Sequence, residues 1–359
     1  MRPVEFPSAI KTRISDLIGG APLLELPVAP SSGRVLLKLE QFNPTGTAKI
    51  RMARQMVDEA ESQGKLKPGG WIVESTSGNT GLGLALIAAE RGYRFTAVVD
   101  HHSSVDKLRG MQAYGAELVR VGSPEGGLAT ADRDATAERI AAEHGAYWTQ
   151  QHNNPGNANG YKGLAQELYQ ALGEQIHYLF GAVGTGGSLC GTGRALKEYL
   201  PTIKIVGVEP TGSVIFGGDG TPYHQSGTGT PAGAEIGVLI DYELIDAGLK
   251  VSDSQAFETA RYLARHHAVL VGGSAGGVIY QALHHARNAP PESTTIVLVC
   301  DGGEKYLNTV FNDEWMQSHG LIAPAIAAEL EQLLPPQKEL TAPRAAESTA
   351  DQYHVRSAV

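Results

Sequence analysis

The chain has 359 residues, with 29 Lys and Arg against 38 Asp and Glu, which gives a net charge of −9. Its length predicts about two domains, and its 42% of hydrophobic and 19% of charged residues exclude disorder for most of the chain. The negative charge argues against nucleic acid as a partner, because a surface that binds phosphates must be basic.

Short apolar runs alternate along the chain with amphipathic stretches. The apolar runs, most of them rich in Val, Ile and Leu, predict strands over Arg34–Leu39, Trp71–Glu74, Arg94–Asp100, Glu117–Val121, Tyr178–Val183, Lys204–Glu209 and Thr295–Cys300. The amphipathic stretches predict helices over Ile50–Gln63, Thr80–Arg91, Val105–Tyr114, Ala129–His144, Gly187–Leu200, Ser254–Arg265 and Gly276–Arg287. This alternation predicts an α/β fold in which two open, mostly parallel sheets, with helices on both faces, meet at a shared cleft.

The C-terminal segment differs from the rest in composition. A predicted short helix over Ala325–Leu334 precedes a polar stretch with prolines and no apolar period. We therefore predict that residues 321–359 form a polar C-terminal tail.

Membrane spans, disulfides and metal sites are not expected. No apolar run reaches the roughly 18 residues of a membrane helix, and the N-terminus lacks the apolar core of a signal peptide. The two cysteines, Cys190 and Cys300, are too few for a disulfide framework and are expected to be packing residues, which indicates a reducing, cytoplasmic setting. Adjacent histidines point apart and make poor metal ligands; such pairs are His101–His102, His266–His267 and His284–His285.

The first of three glycine-rich turns, ESTSGNTG over Glu74–Gly81, follows a predicted strand and opens a predicted helix. Helix N-termini expose unpaired backbone N–H groups and attract anions. Hydroxyl and amide side chains crowd this turn: Ser75, Thr76, Ser77, Asn79 and Thr80. The pattern favours a carboxylate or phosphate site, with a simple helix cap as the alternative.

The second turn, GTGGS over Gly184–Ser188, has glycines that let the backbone wrap a phosphate and hydroxyls that add donors. It lacks the GK[ST] ending of a nucleotide P-loop. It also misses the register of the dinucleotide fingerprint, although Glu209 ends the next strand where a ribose acceptor would lie. A phosphate without a nucleotide fits this turn better.

The third turn and a lysine complete the set. The turn Gly272–Gly277 contributes one hydroxyl, Ser274, which either caps a helix or faces a ring heteroatom. Lys49 ends the segment NPTGTAK and enters a helix behind a Pro-Gly turn, a position where a lysine is usually solvated. Together with a phosphate cradle and a carboxylate cradle, however, these are the parts that a pyridoxal 5′-phosphate (PLP) enzyme needs.

The chain resembles the cysteine synthase/cystathionine β-synthase family of fold type II PLP enzymes over roughly Ile14–Met316. The resemblance begins with LIGGAPLLEL, continues through NPTGTAK and ESTSGNTGLGLA, and ends with GTGGS and GGSAGG. It implies that PLP lies in the cleft between a large PLP-binding domain, residues 1–49 and 149–320, and a smaller, mobile substrate domain, residues 50–148. It also implies a homodimer that acts on amino acids.

The family's site residues carry over onto matching positions. The resemblance implies that Lys49 holds PLP as a Schiff base, that Asn79 hydrogen-bonds the PLP O3′ and that Ser274 faces the pyridine nitrogen. The PLP phosphate is assigned to Gly184, Thr185, Gly186, Gly187 and Ser188. The substrate is assigned to Ser75, Thr76, Ser77, Thr80, Gln151 and Tyr161.

Three departures from the family pattern concern the substrates. Ile50 stands where the family often has an acidic residue, the first motif reads EST instead of EPT, and Thr230–Gly237 replaces a GIG-type loop. A branch that joins O-phospho-L-serine to the amine of glutamate in siderophore-type metabolism, the N-(2-amino-2-carboxyethyl)-L-glutamate synthases, is similar at several segments. These are EST-SGN, Tyr147–Trp148, Gln151 with Tyr161, Gly212–Gly217 and Asn312–Met316.

The resemblance implies β-replacement on O-phospho-L-serine or O-acetyl-L-serine through α-aminoacrylate, with Lys49 as the base. An amine nucleophile such as L-glutamate is favoured, and sulfide or another thiol is the alternative. Because the negative net charge repels anionic substrates, a local basic group must offset this repulsion. The candidate is Arg133. The alternative is that Arg133 is a solvated arginine on the surface of a helix. Two other classes of protein are considered. The presence of Lys49 argues against a PLP-free binding scaffold, and the register of the GTGGS turn argues against an NAD-dependent oxidoreductase.

Overall fold

The computed structural model describes residues 10–76, 78–101, 104–123 and 130–336. The strands, numbered in chain order, are β1 (Leu23–Glu25), β2 (Arg34–Leu39), β3 (Trp71–Ser75), β4 (Arg94–Val99), β5 (Glu117–Arg120), β6 (Tyr147–Trp148), β7 (Tyr178–Ala182), β8 (Lys204–Pro210), β9 (Ala247–Val251) and β10 (Thr294–Val299). The helices are α1 (Lys49–Ser62), α2 (Asn79–Arg91), α3 (Val105–Ala113), α4 (Thr130–His144), α5 (Pro155–Asn159), α6 (Lys162–Leu172), α7 (Gly187–Tyr199), α8 (Asp253–His267), α9 (Gly273–Asn288), α10 (Asp313–Ser318) and α11 (Pro324–Leu333).

The larger sheet has six strands in the order β1-β2-β10-β7-β8-β9. All its neighbours are parallel except β1, which pairs antiparallel with β2. All six residues of the central strand β10 are buried, as expected for a parallel strand covered on both faces. Because these parallel strands end at one edge, the segments that follow β7 and β10 lie close together there.

The smaller sheet has four parallel strands in the order β5-β4-β3-β6. Its central strand β3 leads directly into the Ser75–Gly81 turn. Two mainly parallel sheets connected by helices confirm the predicted α/β fold class.

A continuous apolar cluster joins the two sheets. It contains Ile72 and Ala97 of the smaller sheet, Leu179 and Ile296 of the larger sheet, and Ile50 of α1. The helix α1 also packs on α2 and α5. The first residues of α1 are therefore held between the two sheets.

A buried ion network holds the start of α1. The Arg51 guanidinium lies 2.6 Å from a Glu40 oxygen and 2.9 Å from a Glu167 oxygen, and Lys38 also reaches Glu167 at 2.6 Å. Burial opposes the charge on Arg51, but the two carboxylates outweigh it and raise its pKa. Removing one member of such a buried network is costly, so the backbone two residues beyond Lys49 is firmly anchored.

Several elements differ from the sequence prediction. The strands β1, β6 and β9 were not predicted, and neither were α5, α6 and α10. Both β1 and β9 are edge strands with exposed residues, so they lack a continuous apolar run. The helix α9 begins at Gly273 instead of Gly276, which places Ser274 inside its first turn.

The C-terminal helix α11 belongs to the packed structure. Leu330 and Leu333 are buried in an apolar cluster together with Leu263 of α8 and Leu283 of α9. Packing therefore extends past residue 320, where we predict the tail to begin. Residues 337–359 lie outside the described residues.

Candidate active site

The start of α1 and the third glycine-rich turn are both bound to the end of β10. The Ala48 N–H donates to the Cys300 carbonyl at 2.8 Å, and the Gly272 N–H donates to the Asp301 carbonyl at 3.0 Å. Thr47 also pairs with Asp301 in an isolated bridge. Lys49 and Ser274, which are far apart in sequence, are thus positioned by one strand end.

The side-chain amine of Lys49 is unpaired in the described residues. Lys49 follows a turn in which Thr45 and Gly46 both have left-handed backbone angles, with φ of 71° and 67°. Within the described ranges, its Nζ has no hydrogen-bond or ion-pair partner. Burial lowers its pKa, while the Cys300 thiol and the Asp301 carboxyl partly counter that effect. A lysine in such a place is more readily the neutral, nucleophilic amine than a solvated lysine is.

The Gly184–Ser188 turn, between β7 and α7, packs so closely on its neighbours that Gly186 and Gly187 have no room for a side chain. Gly186 has a left-handed φ of 82°, and a Cβ on Gly187 would lie 2.0 Å from the Asn157 Oδ1. The Thr185 Oγ1 accepts hydrogen bonds from the Gly187 N–H at 3.3 Å and the Asn157 amide at 3.1 Å. The turn is therefore a fixed backbone cradle at the N-terminus of α7, which is the arrangement that binds phosphate in many proteins.

The Ser75–Gly81 turn connects β3 to α2, and Ser77 lies outside the described residues. The buried Thr76 side chain accepts hydrogen bonds from the Gly81 N–H at 3.2 Å and the Gly78 N–H at 3.4 Å. Thr76 therefore organises this turn, while the neighbouring N–H groups at the start of α2 favour an anion.

Gln151 is held by groups of the protein in this conformation. Its amide nitrogen donates to the Ser75 carbonyl at 3.1 Å and to Glu74 at 3.4 Å, and its oxygen accepts from the Thr80 hydroxyl at 2.7 Å. Its N–H groups face protein oxygens, so the amide would have to turn before it could bind a substrate carboxylate. Its expected role in substrate binding stays a prediction.

Two polar atoms at the centre of the site have no protein partner in the described part of the chain. The Asn79 Oδ1 is buried without a hydrogen bond, while the Asn79 amide nitrogen donates to Asp301 at 2.7 Å. The Ser274 hydroxyl, on a buried residue, also has no hydrogen-bond partner there. Buried polar groups normally find partners, so both atoms are available to a bound molecule.

The predicted substrate residues also include Tyr161 and Arg133, which lie outside the glycine-rich turns. Tyr161 is fully buried in the apolar cluster that joins the sheets, where burial raises its phenol pKa well above the ordinary value. Its phenol oxygen is buried without a hydrogen-bond partner in the described residues, and its expected role in substrate binding stays a prediction. Arg133, on α4, is half-buried, and its Nη1 lies 3.5 Å from the buried Asp100 carboxylate, so part of its charge is offset.

Sequence reasoning missed three residues of the site. Glu74 is fully buried, and burial raises its pKa to about 8 although Thr149 and Gln151 donate to it. His152 is exposed, yet its pKa is lowered. The larger cause is the protein packed around the imidazole, and the smaller cause is the positive charge of Lys49. Glu74 begins the ESTSGNTG segment and His152 follows Gln151, but only their tertiary neighbours mark them as residues of the site. Asp301 has no local signal, because it contacts Asn79 across 222 positions.

A dinucleotide site is not supported. The Glu209 carboxylate pairs with Lys250 and accepts hydrogen bonds from the backbone of Ile215 at 3.0 Å and Phe216 at 2.8 Å. These partners hold it inside the fold, away from the role of a ribose acceptor.

Comparison with known proteins decides between the remaining classes. A family model described as pyridoxal-phosphate dependent enzyme matches residues 14–302. The chain belongs to this family. The PLP-dependent enzyme is 49% identical to a putative cysteine synthase of Sinorhizobium fredii, over 90% of this chain and 97% of the relative.

Solved structures agree with that assignment. One neighbour is an O-ureido-L-serine synthase, with a TM-score of 0.79 and 32% identity over 86% of this chain and 99% of that chain. Another is an O-acetylserine dependent cystathionine beta-synthase from Helicobacter pylori, with a TM-score of 0.78 and 32% identity over 84% and 98% of the two chains. The PLP-dependent enzyme is therefore of the cysteine synthase and cystathionine β-synthase type, as predicted.

The residues present fit PLP. The backbone of the Gly184–Ser188 turn at the start of α7 matches a phosphate, and the unpartnered Lys49 amine and Ser274 hydroxyl match an aldehyde and a ring nitrogen. The second N–H of the Asn79 amide, whose nitrogen already donates to Asp301, matches the phenolic oxygen O3′ of PLP. No helix within the described ranges is both long and apolar enough to cross a membrane. In the same ranges, no cluster of three or more His, Cys, Asp or Glu side chains is arranged to hold a metal ion.

Proposed function

We propose that this enzyme replaces the β-substituent of an O-activated L-serine, O-phospho-L-serine or O-acetyl-L-serine, with an amine such as L-glutamate. The observation that carries the proposal is the unpaired Lys49 amine, anchored by the same strand end that holds Ser274. When bound, PLP supplies an electron sink that makes the Cα proton of an amino acid acidic and lets the β-substituent leave.

Each part of the site has one task in this reaction. Lys49 would hold the aldehyde of PLP, and its side chain would supply the amine that takes the Cα proton, since its lowered pKa favours the free amine. The Gly184–Ser188 turn would hold the phosphate of PLP, and Ser274 would face the ring nitrogen. The Ser75–Gly81 turn binds the α-carboxylate, and we propose that the part built on residues 50–148 closes over it and excludes water.

His152 is a candidate proton acceptor for the nucleophile. An amine such as that of glutamate is protonated near neutral pH and must lose a proton before it attacks. His152 follows Gln151 directly, is exposed, and has a lowered pKa, so its neutral imidazole can accept that proton. The name of the O-ureido-L-serine synthase also describes a substituted serine without sulfur.

A second candidate is β-replacement with sulfide or another thiol. It is favoured by the names of two similar proteins, a putative cysteine synthase and an O-acetylserine dependent cystathionine beta-synthase. The deciding experiment offers the PLP-loaded enzyme O-phosphoserine or O-acetylserine with equal glutamate, sulfide and homocysteine, and identifies the products by mass spectrometry. A dominant product with a new C–N bond supports the proposal, and turnover with thiols alone would replace it by the second candidate.

Arg133 is proposed to recognise the phosphate of O-phosphoserine. A charge-assisted hydrogen bond to phosphate is worth enough for a roughly tenfold or larger effect on kcat/KM. We expect R133A to lower kcat/KM for O-phosphoserine by that factor and to leave O-acetylserine little changed. The matched control is R139A, since Arg139 lies on the same helix but is exposed and pairs with Glu143 at 3.1 Å. An equal loss for both substrates would exclude Arg133 from phosphate recognition.

A further inference from the structure

Asp301 lies where three parts of the candidate site meet, although it belongs to none of the glycine-rich turns. It follows β10 and is 1% exposed. Its backbone pairs with Thr47 before Lys49 and accepts from Gly272 before Ser274. Its side chain contacts Asn79, at the start of α2. One residue therefore touches the three segments that carry Lys49, Ser274 and Asn79.

The Asp301 carboxylate determines the orientation of the Asn79 amide. Its Oδ2 accepts hydrogen bonds from the Asn79 Nδ2 at 2.7 Å and from the Tyr306 hydroxyl at 2.6 Å. An ionised carboxylate only accepts hydrogen bonds, so the amide must present its nitrogen to Asp301. The second N–H and the unpartnered Oδ1 of Asn79 then face other directions.

Anchoring of the loops does not by itself require this carboxylate. The hydrogen bonds that join Ala48 and Gly272 to the end of β10 are made by the backbone and would persist with another side chain. The Asp301 Oδ1 is buried without a hydrogen-bond partner in the described residues, which is costly for a charged group. A purely structural position would more easily hold a neutral side chain.

The charge of Asp301 also acts on the basic groups nearby. It raises the pKa of Lys49 and of the buried Lys107, in both cases against the larger effect of burial. Lys107 reaches the Tyr306 hydroxyl at 3.3 Å, so this tyrosine lies between the ammonium and the carboxylate. Tyr306 thus contacts Asp301 without contacting Asn79, which makes it a suitable control position.

We propose that Asp301 is a positioning residue for PLP. It fixes the Asn79 amide so that the free N–H of this amide meets the phenolic oxygen O3′ of the cofactor. This inference rests on the proposed PLP-dependent function and on the expected hydrogen bond between Asn79 and the PLP O3′. It predicts that the effect of Asp301 on the cofactor passes through Asn79, and that it appears in the bound cofactor before any substrate is added.

A double-mutant cycle tests this coupling on the PLP-loaded enzyme. Two variants change Asp301: D301N keeps the shape of the side chain and removes its charge, and D301A removes the whole carboxylate. A third variant is N79A, and each Asp301 change is also combined with N79A. The readouts are the visible absorption band of the bound cofactor and the PLP dissociation constant, with thermal unfolding as the measure of stability. We expect D301N and D301A to shift the band and to weaken PLP binding about tenfold, the effect of one charge-assisted hydrogen bond.

The combined variants decide the outcome. In the N79A background we expect the Asp301 changes to shift the band and the PLP affinity no further, because the group through which they act is gone. The control Y306F removes the other donor to the Asp301 Oδ2 and is expected to leave band and affinity unchanged. An equal Asp301 effect with and without Asn79, no effect in either background, or a shift in Y306F as large as in D301N would each overturn the proposal.

These results are independent of the proposed reaction. No substrate is present in the cycle, so a wild-type enzyme that binds PLP but converts no activated serine would refute the proposed function and leave the coupling between Asp301 and Asn79 measurable.

Discussion

Lys49 is the residue on which the chemistry depends most directly. We expect K49A to lose about 10²- to 10⁴-fold in turnover from the missing base alone, because no other lysine in the described residues follows the anchored turn at Thr47. Borohydride reduction followed by peptide mapping should find the cofactor covalently attached at Lys49 in the wild type and absent in the variant. K204A is the control, since Lys204 is exposed and pairs with Asp246 at 2.8 Å. Attachment at another lysine in K49A would contradict the assignment.

Glu74 makes the stability of the protein depend on pH. Its ordinary pKa of 4.5 rises to about 8 in the fold because of burial. Between these values the folded state keeps a proton that the unfolded state loses, so stability falls as pH rises, by about 1.4 kcal/mol per pH unit. E74Q cannot titrate and should lack this slope.

Urea unfolding of both proteins checks this expectation. From about pH 5.5 to about pH 7, the wild type should lose about 2 kcal/mol relative to E74Q. E143Q serves as the control, because Glu143 is exposed and should give the wild-type slope. Equal pH slopes in wild type and E74Q would show that Glu74 is already ionised in the fold.

Local motifs predict the segments of the site better than they predict its individual contacts. The turns at Ser75–Gly81 and Gly184–Ser188 could be read from glycines and hydroxyls next to predicted strands. The burial of Tyr161 in the cluster between the sheets and the contact that Asp301 makes across 222 positions could not be predicted, because neither leaves a trace in the adjacent sequence.

At the scale of elements, the turn between β3 and α2 is held together by one hydroxyl. The Thr76 Oγ1 accepts from the backbone N–H groups of Gly78 and Gly81. T76A would leave these donors without their acceptor, at a cost of about 1 kcal/mol, or about fivefold in affinity. We expect KM for the activated serine to rise by about that factor, and pyruvate to form because water reaches the reacting carbon.

A matched variant separates the hydroxyl from the side-chain volume. T76S keeps the hydroxyl and should retain a KM and a ratio of pyruvate to product close to the wild type. A raised KM in T76A without additional pyruvate would support carboxylate binding and argue against closure of the turn.

Elements with strong hydrophobic patterns could be predicted, and weakly patterned ones could not. The covered strands β2, β7 and β10 carry continuous apolar runs, and their predicted limits lie close to the observed ones. The edge strand β9, in contrast, is held by its pairing with β8, and its burial pattern is mostly exposed or half-buried. Such a strand is determined by its neighbour, which a single sequence segment does not show.

At the scale of the whole molecule, α11 closes one side of the larger sheet's helical layer. Leu330, Leu333 and Leu334 are buried, and the Tyr262 hydroxyl of α8 donates to the Leu334 carbonyl at 2.7 Å. The Ala323 N–H donates to Glu258, also of α8, at 2.8 Å. The segment 323–334 is thus part of the core of the chain.

Two truncations of different length test this boundary. Removal of residues 321–359 would expose the apolar surface of α8 and α9 and take away four buried leucines, each worth about 2–5 kcal/mol when truncated to alanine. Because proteins are stable by only about 5–15 kcal/mol, we expect this variant to be insoluble or to melt at least about 10 °C lower.

Removal of residues 337–359 takes away only the polar stretch and should leave the melting temperature and the PLP absorption unchanged. Equal melting temperatures for the two truncations would mean that α11 adds nothing to the core, and a large loss in the shorter truncation would assign a stabilising contact to the polar residues.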